Sequence, residues 1–125
     1  MIKMLVVDDE RDVEILFSQK FRKEIRKGEV ELIYAFNANE ALTYLQSLHA
    51  LDLVIVLSDI NMPGMTGLEL LKIIKSDYKE LRVIMITAYG DEKNYTNAIS
   101  IGADDFLSKP VDFGLLKEKI MNYLK

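Results

Sequence analysis

The sequence predicts a doubly wound α/β fold, a parallel sheet covered by helices on both faces. Three observations carry this expectation. Met4 to Val7, Leu53 to Leu57 and Val83 to Ile86 are almost continuously apolar and rich in β-branched residues, as strands buried on both faces are. The stretches between them repeat apolar residues at helical spacing. The two kinds of segment alternate along the chain, which favours parallel strands joined by crossover helices.

Taken in order, the first strand is followed by Val13, Leu16, Phe17, Phe21 and Ile25 on one helical face, with Gly28 as a stop. A second strand is expected over Val30 to Phe36. Asn37 and Glu40 have capping-box spacing ahead of Ala41, Leu42, Leu45 and Leu48. After the third strand, Thr66 and Glu69 repeat that spacing ahead of Leu70, Leu71 and Ile74. Asp91 is the expected cap of a helix ending near Gly102. A short fifth strand over Asp105 to Ser108 precedes Pro110, and Asp112 caps a last helix through Leu116, Ile120 and Leu124. The expectation is one domain over residues 1–125: five strands, five helices, three layers α/β/α, with no internal repeat, low-complexity tract or linker.

Composition narrows the function. A chain of 125 residues suits one core, and 50% hydrophobic with 29% charged residues suits a soluble globular protein. No apolar run approaches a membrane span, so no membrane insertion is expected. The apolar start breaks at Asp8-Asp9-Glu10 without a signal-peptide core, which makes a cytoplasmic address the default. With no Cys and one His, any metal here is a hard ion held by oxygen. A net charge of −4 is the wrong sign for direct nucleic-acid binding by this domain.

In such a sheet, ligands sit beyond the carboxyl ends of the strands, where the winding direction reverses. The residues placed there are Asp8, Asp9 and Glu10, then Asp59 and Asn61, then Thr87, then Lys109. With the flavodoxin-like strand order 2-1-3-4-5, these tips surround one pocket. Three carboxylates crowded together repel unless a cation or protons intervene, and Mg²⁺ accepts a few carboxylates while keeping waters for a phosphate to displace. Asp59 can then act as a carboxylate nucleophile that forms an aspartyl phosphate. Lys109 is positioned to pair with phosphoryl oxygens, and Thr87 to donate a hydrogen bond to one of them.

The chain resembles the receiver domains of response regulators from its first strand to its last helix. The marks are Val6-Val7-Asp8-Asp9-Glu10, the run from Ser58-Asp59 through Asn61-Met62-Pro63-Gly64 to Thr66-Gly67, Thr87-Ala88, and Gly102-Ala103-Asp104-Asp105-Phe106-Leu107-Ser108-Lys109-Pro110. The resemblance implies a signalling domain rather than an enzyme, with Asp59 as phosphoacceptor. It implies Mg²⁺ held by Asp8, Asp9, Asp59 and the Asn61 backbone carbonyl. It also implies Thr87 as switch hydroxyl, Phe106 as switch aromatic and Lys109 as the phosphate-binding cation. The implied donor is a sensor histidine kinase or a histidine phosphotransfer protein. The implied output is a partner or output domain, reached through the face of the fourth helix, fifth strand and fifth helix. Phe106 stands where the family often has Tyr, and Asn61 and Tyr89 occupy positions the family associates with phosphate lifetime.

Singly, these residues have plainer explanations. An acidic pair suits the start of a helix, Asp59 suits a turn before Pro63-Gly64, and Thr87 is a good strand former. His49 reads as a surface residue. Convergence at one end of one sheet is what favours the functional reading. A haloacid-dehalogenase-type phosphatase would want an Asp-x-Asp motif after its first strand, where this chain has Asp8-Asp9-Glu10. An FMN carrier would want a glycine- and hydroxyl-rich loop there, not an acidic one. A receiver used only as a constitutive interaction module is the third alternative.

Overall fold

The computed structural model describes residues 1–47, 50–53, 55–87 and 92–123. The strands are β1 (Ile2–Val7), β2 (Val30–Ala35), β3 (Ile55–Asp59), β4 (Arg82–Thr87) and β5 (Asp105–Ser108). The helices are α1 (Asp12–Lys20), α2 (Arg22–Arg26), α3 (Ala38–Leu45), α4 (Gly67–Asp77), α5 (Glu92–Ile101) and α6 (Phe113–Tyr123). All neighbouring strands run parallel, in the order β2-β1-β3-β4-β5. The doubly wound expectation and its strand order are both met.

Strand periodicity divides the core in two. Met4 and Val6, Ile55 and Leu57, and Ile84 and Ile86 face α1 and α6, joining Phe17, Phe21, Leu116 and Ile120. Their alternates Leu5, Val7, Val56, Val83 and Met85 face α3, α4 and α5, joining Ala41, Leu45, Leu70, Leu71 and Ile74. The central strands are therefore apolar over Met4–Val7, Ile55–Leu57 and Val83–Ile86 because both of their faces are covered there. Burying each such Leu or Ile contributes roughly 1.5–3 kcal/mol, which is why three short segments suffice to position the sheet.

The helices start where the side chains dictate. Thr66 accepts the Glu69 N–H at 3.2 Å while Glu69 returns a bond to the Thr66 N–H, a complete capping box. Asn37 caps α3 through the Glu40 N–H at 2.8 Å, but the Glu40 carboxylate accepts from Phe36 instead. That bond draws Phe36 out of the expected second strand, which stops at Ala35. Asp112 accepts the Leu115 N–H at 3.0 Å at the start of α6.

Among the described residues the expected five helices are six, because the first is interrupted at Phe21 (φ −101°, ψ 14°). Its apolar face also narrows: Phe17 and Phe21 are buried, but Leu16 and Ile25 are 41% and 39% exposed. Glu24 takes the inward side of α2 instead, paired at 3.0 Å with Lys117 of α6. The expectations for Leu48, His49, Val54, Ala88, Tyr89, Asp91 and Leu124 lie outside the described residues. Among the described residues, no helix is long and apolar enough to cross a membrane.

Candidate functional site

Parallel pairing brings the carboxyl ends of β1, β3, β4 and β5 to one edge, and the predicted polar residues gather there. Asp8 follows β1, Asp59 ends β3, Thr87 ends β4, and Lys109 follows β5. Ligand oxygens of Asp8, Asp9 and Asp59 lie within 4.8 Å of one another; Asp8 and Asp59 are buried and Asp9 is exposed. Lys109 Nζ reaches between them, 3.1 Å from Asp8 Oδ2 and 3.3 Å from Asp59 Oδ2. The exposed Glu10 stands farther off, 3.8 Å from the same ammonium, and gives its backbone N–H to Asp8 Oδ1 at 2.9 Å.

Two backbone contacts steady this edge. The Lys109 N–H donates to the Thr87 carbonyl at 2.7 Å, and the Ile60 N–H to the Ile86 carbonyl at 3.1 Å. The Lys109–Pro110 peptide is cis. Gly67 opens α4 directly against the end of β3: its N–H bonds the Ile60 carbonyl at 2.8 Å, and any Cβ there would overlap the Asp59 carbonyl. The glycine thus lets helix and strand meet at the backbone, fixing the Asp59 peptide from below.

The electrostatics follow from the crowding. Burial, together with the neighbouring Asp8 carboxylate, pushes the Asp59 carboxyl above its ordinary range; Lys109 and the Asn61 N–H pull it part of the way back. Burial works against the charge on Lys109, but the hydrogen bond to Asp8 and the Asp59 charge outweigh it and raise its pKa. Among the described residues, one ammonium for a crowd of carboxylates leaves negative charge uncompensated. Oxygen ligands in that number and setting fit a hard divalent cation such as Mg²⁺.

Thr87 supplies a second unsatisfied group. Its side chain is fully buried and its Oγ1 has no hydrogen-bond partner among the described residues. A buried hydroxyl without a partner costs free energy unless something supplies one. Phe106 is half-buried on β5, with its ring edge-on to Tyr95 of α5 at 5.2 Å between centroids. Asn61 is exposed at the mouth.

Sequence reasoning left several neighbours without a role. Asp104 accepts from Lys75 of α4 (2.7 Å) and the Val83 N–H (2.8 Å), and Asp105 accepts from Lys119 and Tyr123 of α6 (2.7 Å each). These adjacent carboxylates clamp the start of β5 at the far end of the sheet from Asp59. Gly67 was visible as the last residue of one of the family marks, beside a cap residue, but without a role. An apolar cleft of about 690 Å³ beside Asp59, between α1 and α6, left no mark in the sequence.

Comparison with known proteins agrees with this architecture. Residues 4–121 match the family model described as the response regulator receiver domain. The chain is 33% identical to sporulation initiation phosphotransferase F of Bacillus subtilis, over 98% of this chain and 93% of that protein. It is 32% identical to chemotaxis protein CheY1 of Helicobacter pylori, over 95% and 94%. Against response regulator protein PilR of Pseudomonas aeruginosa it is 38% identical over 98% of its own length, but spans only 26% of that protein. A receiver domain crystal structure from Clostridium thermocellum superposes with a TM-score of 0.87 at 28% identity, covering 98% of this chain and 93% of that one. Receiver domains bind Mg²⁺ through an acidic pocket, and this chain has the corresponding aspartate cluster. The chain belongs to the response regulator receiver domain family, a family of two-component signalling domains.

Proposed function

We propose that this domain is a phosphorylation-controlled switch whose acceptor is Asp59. The observation that carries the reading is the meeting of Asp8, Asp59 and Lys109 at one sheet edge, next to a buried Thr87 hydroxyl with no partner among the described residues. Asp8, Asp9, Asp59 and the Asn61 backbone carbonyl would hold Mg²⁺. Bound there, the ion supplies neutralisation of negative charge on a transferring phosphoryl group. The Asp59 carboxylate attacks phosphorus as the bond from phosphorus to the donor's histidine nitrogen breaks, its electron pair staying on the imidazole, and Lys109 exchanges its carboxylate partners for phosphoryl oxygens.

Phosphorylation then gives Thr87 Oγ1 an acceptor, and Phe106 follows into the space the hydroxyl leaves. The face made by α5, β5 and α6 is thereby remodelled; these are the fourth helix, fifth strand and fifth helix of the sequence count. Moving a two-state population from 1:99 to 99:1 takes about 5.5 kcal/mol. Two or three new hydrogen bonds to a charged group, at roughly 1.5–3 kcal/mol each, are of that order. The donor is a sensor histidine kinase or histidine phosphotransfer protein in the cytoplasm, and the output is a downstream partner or a linked output domain.

Intact mass spectrometry after incubation with Mg²⁺ and acetyl phosphate tests the acceptor. The expected result is a single phosphate adduct on the wild type that depends on Mg²⁺ and is missing from Asp59→Asn. Folded wild-type protein that takes up no phosphate from several donors would leave Asp59 a structural residue.

A further inference from the structure

Among the described residues, the buried polar side chains are Lys3, Asp8, Ser58, Asp59 and Thr87. Lys3 pairs with Asp52 at 2.9 Å, and Asp8, Asp59 and Thr87 belong to the acceptor site. Ser58 has no use in either. It is 1% exposed and, two residues after Val56, shares that residue's apolar face of the sheet, with Val7 and Met85 as its register partners. A hydroxyl in such a slot costs free energy unless it is bonded, and an alanine would fill the position without that cost. The Ser58 hydroxyl donates to the Asp59 carbonyl at 3.0 Å.

That bond completes a set. The Asp59–Ile60 peptide is held at its carbonyl by Ser58 and at its N–H by the Ile86 carbonyl, at 3.1 Å. The Ile60–Asn61 peptide is held at its carbonyl by the Gly67 N–H, at 2.8 Å, and at its N–H by the Asp59 carboxylate. Both polar groups of two successive peptides are thus tied, and the next carbonyl in the chain is that of Asn61. Ser58 supplies the one tie that a substitution can remove without touching the backbone or a proposed metal ligand. We infer that Ser58 is a positioning residue: its hydroxyl locks the Asp59–Ile60 peptide and so holds the Asn61 carbonyl and the Asp59 carboxylate in place before a divalent cation arrives. This role presupposes the Mg²⁺ site proposed for those two residues and adds the group that keeps it in shape. Ligands held in advance lose less freedom when the ion binds, so the lock acts on affinity for the ion and not on the chemistry that follows.

The test uses Mg²⁺ alone as probe, following the thermal midpoint of the whole chain against its concentration to obtain an apparent Kd. Ser58→Ala removes one atom from an apolar slot. Ser58→Thr and Ser58→Val share one branched shape and differ in a hydroxyl against a methyl. The expected result is Mg²⁺ binding about tenfold weaker in the Ala and Val variants, with Thr within about twofold of the wild type; tenfold is about 1.4 kcal/mol, the size of one net hydrogen bond. Phosphate uptake from acetyl phosphate, read by intact mass, should show the matching split. The Mg²⁺ concentration for half the maximal rate rises by the same factor in Ser58→Ala, while the rate at saturating Mg²⁺ stays at the wild-type value. Equal Mg²⁺ affinity in all four proteins would overturn the role of Ser58 and leave the metal site standing. Weakening shared by Thr and Val would assign the effect to packing at position 58 and overturn the role as well. A wild type whose midpoint ignores Mg²⁺ would overturn the metal site itself, whereas one that binds Mg²⁺ but takes up no phosphate would overturn only Asp59 as acceptor.

Discussion

Replacing Lys109 by Met keeps most of the side-chain volume and removes the cation that bridges Asp8 and Asp59. At an effective dielectric of about 20, ammonium and carboxylate 3.1 Å and 3.3 Å apart attract by roughly 5 kcal/mol for each pair. The two carboxylates, no more than 4.8 Å apart, repel by at least roughly 3.5 kcal/mol. Desolvation offsets much of the attraction, and removing one partner of a buried pair costs about 3–5 kcal/mol. The Lys109 side chain keeps 30% of its exposure, which points to the lower end, about 3 kcal/mol. The assay is urea unfolding with the metal chelated, repeated in an Asp59→Asn background, where the same change should cost only about 1 kcal/mol because one carboxylate is left unpaired instead of two. Mg²⁺ competes with Lys109 for those oxygens, so saturating Mg²⁺ should stabilise Lys109→Met more than the wild type. A cost below about 1 kcal/mol, or an equal cost in both backgrounds, would refute the shared-cation account of the site.

Gly67→Ala should destabilise the domain by about 2–3 kcal/mol by driving a Cβ into the Asp59 carbonyl, and denaturant midpoints without metal will read it. Thr66→Ala removes the capping box of α4 and should cost about 1 kcal/mol in the same measurement. Burial acts against the Asp104 charge, but Lys75 and the Val83 N–H hold its carboxyl below the ordinary range; Lys119 and Tyr123 do the same for Asp105. A depressed carboxyl contributes stability that is complete above its unfolded pKa, near 3.9, and disappears as pH falls through the folded value. Midpoints followed from pH 6 downward should therefore drop below about pH 4, and the drop should be shallower in Asp104→Asn. An equally steep drop in the variant would assign the acid sensitivity to other carboxylates.

The fold was legible because it rests on local signals. Five strands, their parallel direction and the capping residues Asn37, Thr66 and Asp112 follow from periodicity and side-chain chemistry within a few residues, whereas the order 2-1-3-4-5 was taken from the flavodoxin-like topology. The first helix was misjudged because its pattern was counted as one stripe. The interruption at Phe21 and the pairing of Glu24 with a residue 93 positions away (117 − 24) depend on α6, which helical spacing cannot report. The end of β2 moved by one residue for a similar reason: Phe36 gives its N–H to a side chain instead of to a neighbouring strand.

By itself, the sequence determined which residues stand at the strand ends, because a parallel sheet built from these apolar runs has to bring Asp8, Asp59, Thr87 and Lys109 to one edge. What happens between them was decided only by the tertiary structure. Lys109 spans two carboxylates from separate strand ends, the Thr87 hydroxyl is buried without a partner among the described residues, and Gly67 sits against the Asp59 carbonyl. The cleft between α1 and α6 likewise exists only through packing, since its walls come from segments about 100 residues apart (113 − 13). Chain-local chemistry sets elements and their ends, whereas distances, burial and voids depend on how two faces of a sheet are covered, and no local pattern encodes them.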